Sequence, residues 1–132
     1  MVNFQQAILI VDDEFLNRFL LRKFLADLDF PLAEVENGED AIDWIKNSDY
    51  TQVIILLDLN MPVMDGFEVI NYLQTNSSEF ADKQIEIIIV SASEFSDFSK
   101  KMPDAKIVDF LRKPCTKVAI HNSINKALEN FK

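Results

Sequence analysis

The stretch "VIILLDLNMPVMDG", Val53 to Gly66, runs five apolar residues together and then stops on an aspartate. A strand apolar at every position has no face left for water, the pattern of a central parallel strand covered on both sides. After Asp58 the chain turns at once through Met61-Pro62 and Asp65-Gly66, where Pro fixes one backbone dihedral and Gly accepts conformations closed to other residues. Similar apolar runs occur at "QAILIV", Gln6 to Val11, and "IEIIIV", Ile85 to Val90. Leu32 to Glu36 alternates weakly as another strand, and Ile107 to Leu111 supplies a fifth.

Helical spacing fills the intervals. Phe15, Leu16, Phe19, Leu20, Phe24, Leu25 and Leu28 recur on one stripe before Pro31 breaks it. Ala41, Ile42 and Ile45 share a face of Glu39 to Lys46, and Phe67, Val69, Ile70 and Leu73 follow Gly66. The polar, Phe-bearing segment Ser93 to Met102 reads as a short helix of poor periodicity, ended early by Pro103. Thr116 caps a last helix carrying Ile120, Ile124, Ala127, Leu128 and Phe131. Five strands alternating with five helices call for right-handed crossovers, a parallel sheet and helices on both faces.

Composition bounds the rest. A chain of 132 residues with 48% hydrophobic content is sized for one core and one domain. Its apolar runs are far shorter than a membrane span, and the N-terminus lacks the basic region and cleavage site of a signal peptide, so a cytoplasmic protein with no membrane partner is expected. Cys115 stands alone, in keeping with a reducing compartment. A net charge of -9 argues against binding nucleic acid.

In an open parallel sheet, ligands bind beyond the carboxyl ends of the strands. The residues there are Asp12, Asp13 and Glu14 after the first strand, and Asp58 after the third. Ser91, Ala92 and Ser93 follow the fourth strand, and Arg112 and Lys113 the fifth. Singly, each has a plain structural use: Asp12 or Asp13 as a helix cap, Lys113 as a solvated loop cation. In combination they ask for more. Two like charges about 4 Å apart cost roughly 4 kcal/mol at an effective dielectric of 20, so clustered carboxylates need a cation. Lys113 supplies one charge, and oxygen-only ligands point to a hard, small, octahedral ion such as Mg²⁺ for the remainder.

The segments "ILIVDDE", "LLDLNMPVMDG", "IIIVSAS" and "DFLRKP" resemble, in that order and spacing, the receiver domain of two-component response regulators, the single-domain chemotaxis regulator among them. The resemblance covers nearly the whole chain as one receiver domain, residues 1–132. It implies a flavodoxin-like, doubly wound α/β fold with strand order 2-1-3-4-5. It also implies that Asp58 is the phosphoacceptor and, with Asp13 and the backbone carbonyl of Asn60, a direct Mg²⁺ ligand, while Asp12 assists through a coordinated water. Ser91 takes the switch-hydroxyl position, Phe110 the switch-aromatic position without a phenolic oxygen, and Lys113 pairs with the phosphoryl group. The implied donor is a sensor histidine kinase or a histidine phosphotransfer protein. Output is implied through the fourth helix, fifth strand and fifth helix, toward a partner protein or a second copy. Such a chain catalyses its own phosphorylation and dephosphorylation and is consumed as substrate, so it is not counted as an enzyme.

Other residues read as structural. Asp65 beside Gly66 fits a turn or cap; Cys115 is a buried or half-buried thiol; Trp44 is partly buried; His121 faces solvent. Of Phe95 and Phe98, one belongs to the core and one to the surface. A haloacid-dehalogenase-type phosphatase is disfavoured because Asn60 stands where its second aspartate is needed, and a dinucleotide enzyme because the chain has only two glycines, Gly38 and Gly66. A receiver-like docking module that is never phosphorylated stays open. With no effector after Phe131 in this sequence, the chain is either a stand-alone receiver or a piece of a longer regulator or hybrid kinase.

Overall fold

The computed structural model describes residues 5–132; Met1 to Phe4, where the reading against a signal peptide begins, lie outside them. The elements in order are β1 (Gln6–Val11), α1 (Phe15–Leu25), β2 (Leu32–Val35), α2 (Gly38–Asn47), β3 (Gln52–Leu57) and α3 (Gly66–Thr75). A 3-10 turn (Ser77–Phe80), not anticipated from the sequence, precedes β4 (Gln84–Ser91), α4 (Phe95–Lys101), β5 (Asp109–Arg112) and α5 (Lys117–Asn130). The sheet order is β2-β1-β3-β4-β5 and each neighbouring pair is parallel, as expected for a doubly wound fold. No helix among the described residues is long and apolar enough to cross a membrane.

Successive strand side chains point to opposite faces, and the three central strands supply apolar residues to both. Leu9, Val11, Val53, Ile55, Leu57, Ile87 and Ile89 face α2, α3 and α4, where Ala41, Ile45, Val69, Ile70 and Phe98 close the layer. Ile8, Ile10, Ile54, Leu56, Ile88 and Val90 face α1 and α5 and meet Leu21, Leu25, Ile120, Ile124 and Ala127. Each fully buried aliphatic side chain contributes about 1.5–3 kcal/mol by leaving water.

α1 departs from the sequence reading in two ways. It stops at Leu25, well before Pro31, because a turn closed by the Leu28 N–H on the Leu25 carbonyl ends it. Its buried residues are Arg18, Leu21 and Leu25, whereas Phe15, Leu16, Phe19 and Leu20 lie 41–65% exposed. The first four members of the predicted stripe therefore face outward, while Leu25 is buried, Phe24 and Leu28 pack against the core, and Arg18 turns inward to bond Glu34 and the Asp12 carbonyl. β5 is likewise shifted two residues along from Ile107, beginning at Asp109.

Candidate functional site

Strand register assembles the site. Val11 pairs with Leu57, so Asp12 and Asp58, the next residues on each strand, leave the sheet side by side, and the Asp58 N–H donates to the Val11 carbonyl at 2.9 Å. Asp12 and Asp58 are buried, and Asp13 is exposed at the rim. Carboxylate oxygens of all three lie within 4.8 Å of one another. Neither Asp12 nor Asp13 caps α1: the N-cap is Glu14, without a side-chain cap bond, while an Asp12 oxygen accepts the Glu14 N–H at 2.9 Å.

Lys113 comes from the opposite side of the sheet. Its Nζ donates to Asp12 Oδ2 at 2.8 Å and stands 3.6 Å from Asp58 Oδ1. One ammonium thus faces two buried carboxylates, and the balance is negative. Burial pushes the Asp58 carboxyl up to about 6, opposed by Lys113 and the Asn60 backbone N–H and reinforced by Asp12 and Asp13. Burial also works against the Lys113 ammonium, but Asp12 and Asp58 outweigh it and hold Lys113 above the usual lysine range.

The remaining members sit around this centre. Ser91 ends β4 fully buried; its carbonyl accepts the Lys113 N–H at 2.8 Å, and its hydroxyl oxygen accepts the Ser93 N–H at 3.2 Å. Asn60 is exposed, its amide 3.4 Å from the Ser93 hydroxyl. Phe110 is half-buried on β5, its ring 5.5 Å from Phe95 and 5.6 Å from Phe98. Phe98 is the core member of that pair and Phe95, 56% exposed, the surface one.

The loop after Asp58 is built to hold still. The Met64 N–H bonds back to the Pro62 carbonyl at 2.7 Å across Val63, whose φ is 69°, a γ-turn of the strained hand for a β-branched residue. Gly66 then passes so close to the strand end that a Cβ there would stand 2.4 Å from the Asp58 carbonyl oxygen. Asp65 is a cap and not a member of the acid cluster: it accepts the Glu68 N–H while Glu68 accepts the Asp65 N–H, a complete capping box.

Arg18 escaped the sequence reading. Its Nη1 donates to the Asp12 carbonyl at 2.7 Å and its Nε to Glu34 at 3.2 Å, fixing the backbone beneath the acid cluster. Its sequence signal is its place on one helix face with Leu21 and Leu25, spaced three and four residues apart. His121 is a correction: it does not face solvent freely but sets Nε2 2.6 Å from the Phe24 carbonyl at the end of α1 and 3.5 Å from Asp27. Cys115 is half-buried, and burial raises its thiol pKa, so it is a packing residue.

The chain is similar over its whole architecture to known signalling domains. It is 34% identical over 118 residues to hybrid signal transduction histidine kinase E of Dictyostelium discoideum, covering 89% of this chain and 7% of that protein. To the chemotaxis protein CheY of Halobacterium salinarum it is 30% identical over 124 residues, covering 93% of this chain and 97% of that one. The chain thus spans under a tenth of such a hybrid kinase. Its fold superposes on the receiver domain of a signal transduction histidine kinase from Syntrophus aciditrophicus, with TM-score 0.78, 24% identity, and coverage of 97% of this chain and 92% of that one. For a sensor histidine kinase receiver domain from Pseudomonas aeruginosa the TM-score is 0.76 at 20% identity, covering 95% and 98%. The profile of the response regulator receiver domain matches residues 8–125. A match that runs from β1 into α5 leaves none of the layers outside it, and the chain belongs to the response regulator receiver domain family of two-component signalling.

Proposed function

We propose that Asp58 accepts a phosphoryl group from a phosphohistidine carried by a sensor histidine kinase or histidine phosphotransfer protein. An Asp58 carboxylate oxygen forms the new bond to phosphorus as the P–N bond breaks, and the bonding pair stays with the imidazole nitrogen. The product is an acyl phosphate that water later hydrolyses, so the chain is a phosphoacceptor that is consumed by its own reaction. The observation that carries this reading is the convergence of Asp12, Asp13 and Asp58 within 4.8 Å, faced by a single lysine.

Three hard oxygen donors with surplus negative charge fit Mg²⁺. Asp13, Asp58 and the Asn60 backbone carbonyl would hold it, with Asp12 assisting through water. When bound, the ion supplies the positive charge that phosphoryl oxygens require as charge spreads over them. The Pseudomonas aeruginosa receiver domain has a magnesium ion coordinated in its active site cleft. The chain's own residues do the positioning. Asp58 is fixed at the end of a central strand, Lys113 stands ready to exchange a carboxylate for a phosphoryl oxygen, and Ser91 offers the second switch contact.

The donor's approach is marked by the outward face of α1. Leu20, beside Leu21, Phe24 and Cys115, borders a pocket of about 310 Å³ that Lys113 also lines, and Leu16 extends the same exposed stripe. On the output side, an inward turn of Phe110 would release Phe95 and Phe98 and remodel the α4, β5 and α5 face for a partner protein or second copy. The chain and its donor meet in the cytoplasm on this proposal. Incubation with a small phosphoramidate donor should label wild-type protein only with Mg²⁺ and leave Asp58→Asn unlabelled. Labelling of that variant at the wild-type rate refutes the assignment. Leu16→Glu should slow transfer from a phosphohistidine protein while sparing labelling by the small donor.

A further inference from the structure

We propose that the free edge of β2 is a docking site for a basic, extended segment of a partner protein, added to the sheet as a sixth strand. Among the described residues β2 has a neighbour on one side only, and a groove of about 1020 Å³, lined by its Glu34 and Val35, lies against it. On the α1 side the groove is lined by Phe15, Arg18 and Arg22, and both arginines are already paired with Glu34 of β2. The α2 wall is different. Trp44 and Tyr50 stack at 6.0 Å with 15° between their planes, and Asp40, Asp43 and Asp49 stand beside them. These three aspartates make no ion pair among the described residues.

Stacked rings beside carboxylates form a surface for a cationic side chain, through ring-face attraction and charge together. A strand laid along β2 presents alternate residues to the two walls, so Lys or Arg at every second position meets the α2 wall, and apolar residues between them meet Phe15. Short edges bearing carboxylates are also a way for sheets to avoid pairing; here Trp44 and Tyr50 pack against the core on one side and still line the groove with the part left exposed. The chain's net charge of -9 adds long-range attraction for a basic partner.

Trp44 is the only tryptophan, so its emission reports directly on the groove. The test titrates the acetylated, amidated hexapeptide Arg-Val-Arg-Val-Arg-Val into the full chain. Saturable change in Trp44 emission is expected, with new exchange protection of backbone amides 32–36. Asp40→Asn combined with Asp43→Asn should weaken binding roughly five- to tenfold, the loss of two exposed charge pairs. The double variant keeps the backbone N–H of Asp40 that Asn37 caps, and its unchanged Asp58 labelling shows that the fold is intact. Unchanged emission at millimolar peptide overturns the proposal. So does equal binding by Ser-Val-Ser-Val-Ser-Val, or an emission change driven by protein concentration alone, which assigns the edge to a second copy.

Discussion

Replacing Asp58, the proposed phosphoacceptor, should make the metal-free protein more stable. Folding takes Asp58 from an ordinary carboxylate pKa of 3.8 to about 6, mainly through burial. The folded state therefore binds more protons than the unfolded state between those two values, and stability falls as pH rises through that window. At 1.36 kcal/mol per pK unit, the loss above pH 6 is about 3 kcal/mol. Asp58→Asn keeps the shape and removes the charge, so at pH 8 with a chelator present it should gain about 3 kcal/mol over wild type. At pH 4.5 the same linkage leaves a difference of only about 1 kcal/mol.

Urea unfolding of both proteins at the two pH values measures these differences directly. Mg²⁺ provides the second arm: it should raise the wild-type midpoint at pH 8 and narrow the gap to the variant, since it binds the folded acid cluster in preference to the unfolded chain. An Asp58→Asn protein no more stable than wild type at pH 8, or a difference that ignores pH, would show that Asp58 is not destabilised in the folded state. The account of the site as a charge-deficient cradle would then fail.

Other perturbations separate the site from its scaffold. Lys113→Ala should remove the structural response to beryllofluoride, a phosphoryl mimic, and cost the metal-free protein about 2 kcal/mol by leaving Asp12 and Asp58 without their counter-charge; an intact spectral response would remove Lys113 from the switch. Asp65→Ala should lower stability by about 1 kcal/mol through loss of the α3 cap, with Asp58 labelling unchanged; a labelling defect at equal stability would make Asp65 a site acid. Val63→Gly should raise the thermal midpoint by relieving the positive φ, a net gain of about 1 kcal/mol, and a lowered midpoint would show that the turn is unstrained.

The architecture was legible because its signals are large. Three central strands with unbroken apolar runs, Ala7 to Val11, Val53 to Leu57 and Ile87 to Val90, can only be covered on both faces, and the strand-end aspartates follow from where the first two runs stop. What escaped was the orientation of side chains whose partners lie far away in the sequence. In α1 the spacing of Phe15, Leu16, Phe19 and Leu20 matched a core stripe as well as Leu21 and Leu25 did, and periodicity alone cannot say which of two apolar stripes faces the sheet. The deciding fact is three-dimensional: Arg18 reaches the Asp12 carbonyl and Glu34 at once, which turns its side of the helix inward. His121 was misread for a similar reason, since its partner, the Phe24 carbonyl, lies 97 residues earlier. Asp65 was readable because a cap is local, and its bond to Glu68 spans three residues.

The unfavourable features gather at one end of the sheet. Buried carboxylates at Asp12 and Asp58, the positive φ of Val63 and the close passage of Gly66 all lie beyond the carboxyl ends of β1 and β3. The same two strands carry Ile8, Leu9, Ile10, Ile54, Ile55 and Leu56 at no more than 1% exposure. Burial of one or two such side chains offsets the cost of about 3 kcal/mol for holding Asp58 ionised in the folded chain, so the acid cluster can stay assembled without a bound cation or phosphoryl group. Preassembly matters to the chemistry, because a carboxylate already fixed in place needs no reorganisation when it meets phosphorus. Stability and the proposed reactivity are then set by different residues of the same strand, the aliphatic run holding the fold and the aspartate at its end held in an unfavourable state that, on the proposed function, cation binding or phosphorylation relieves.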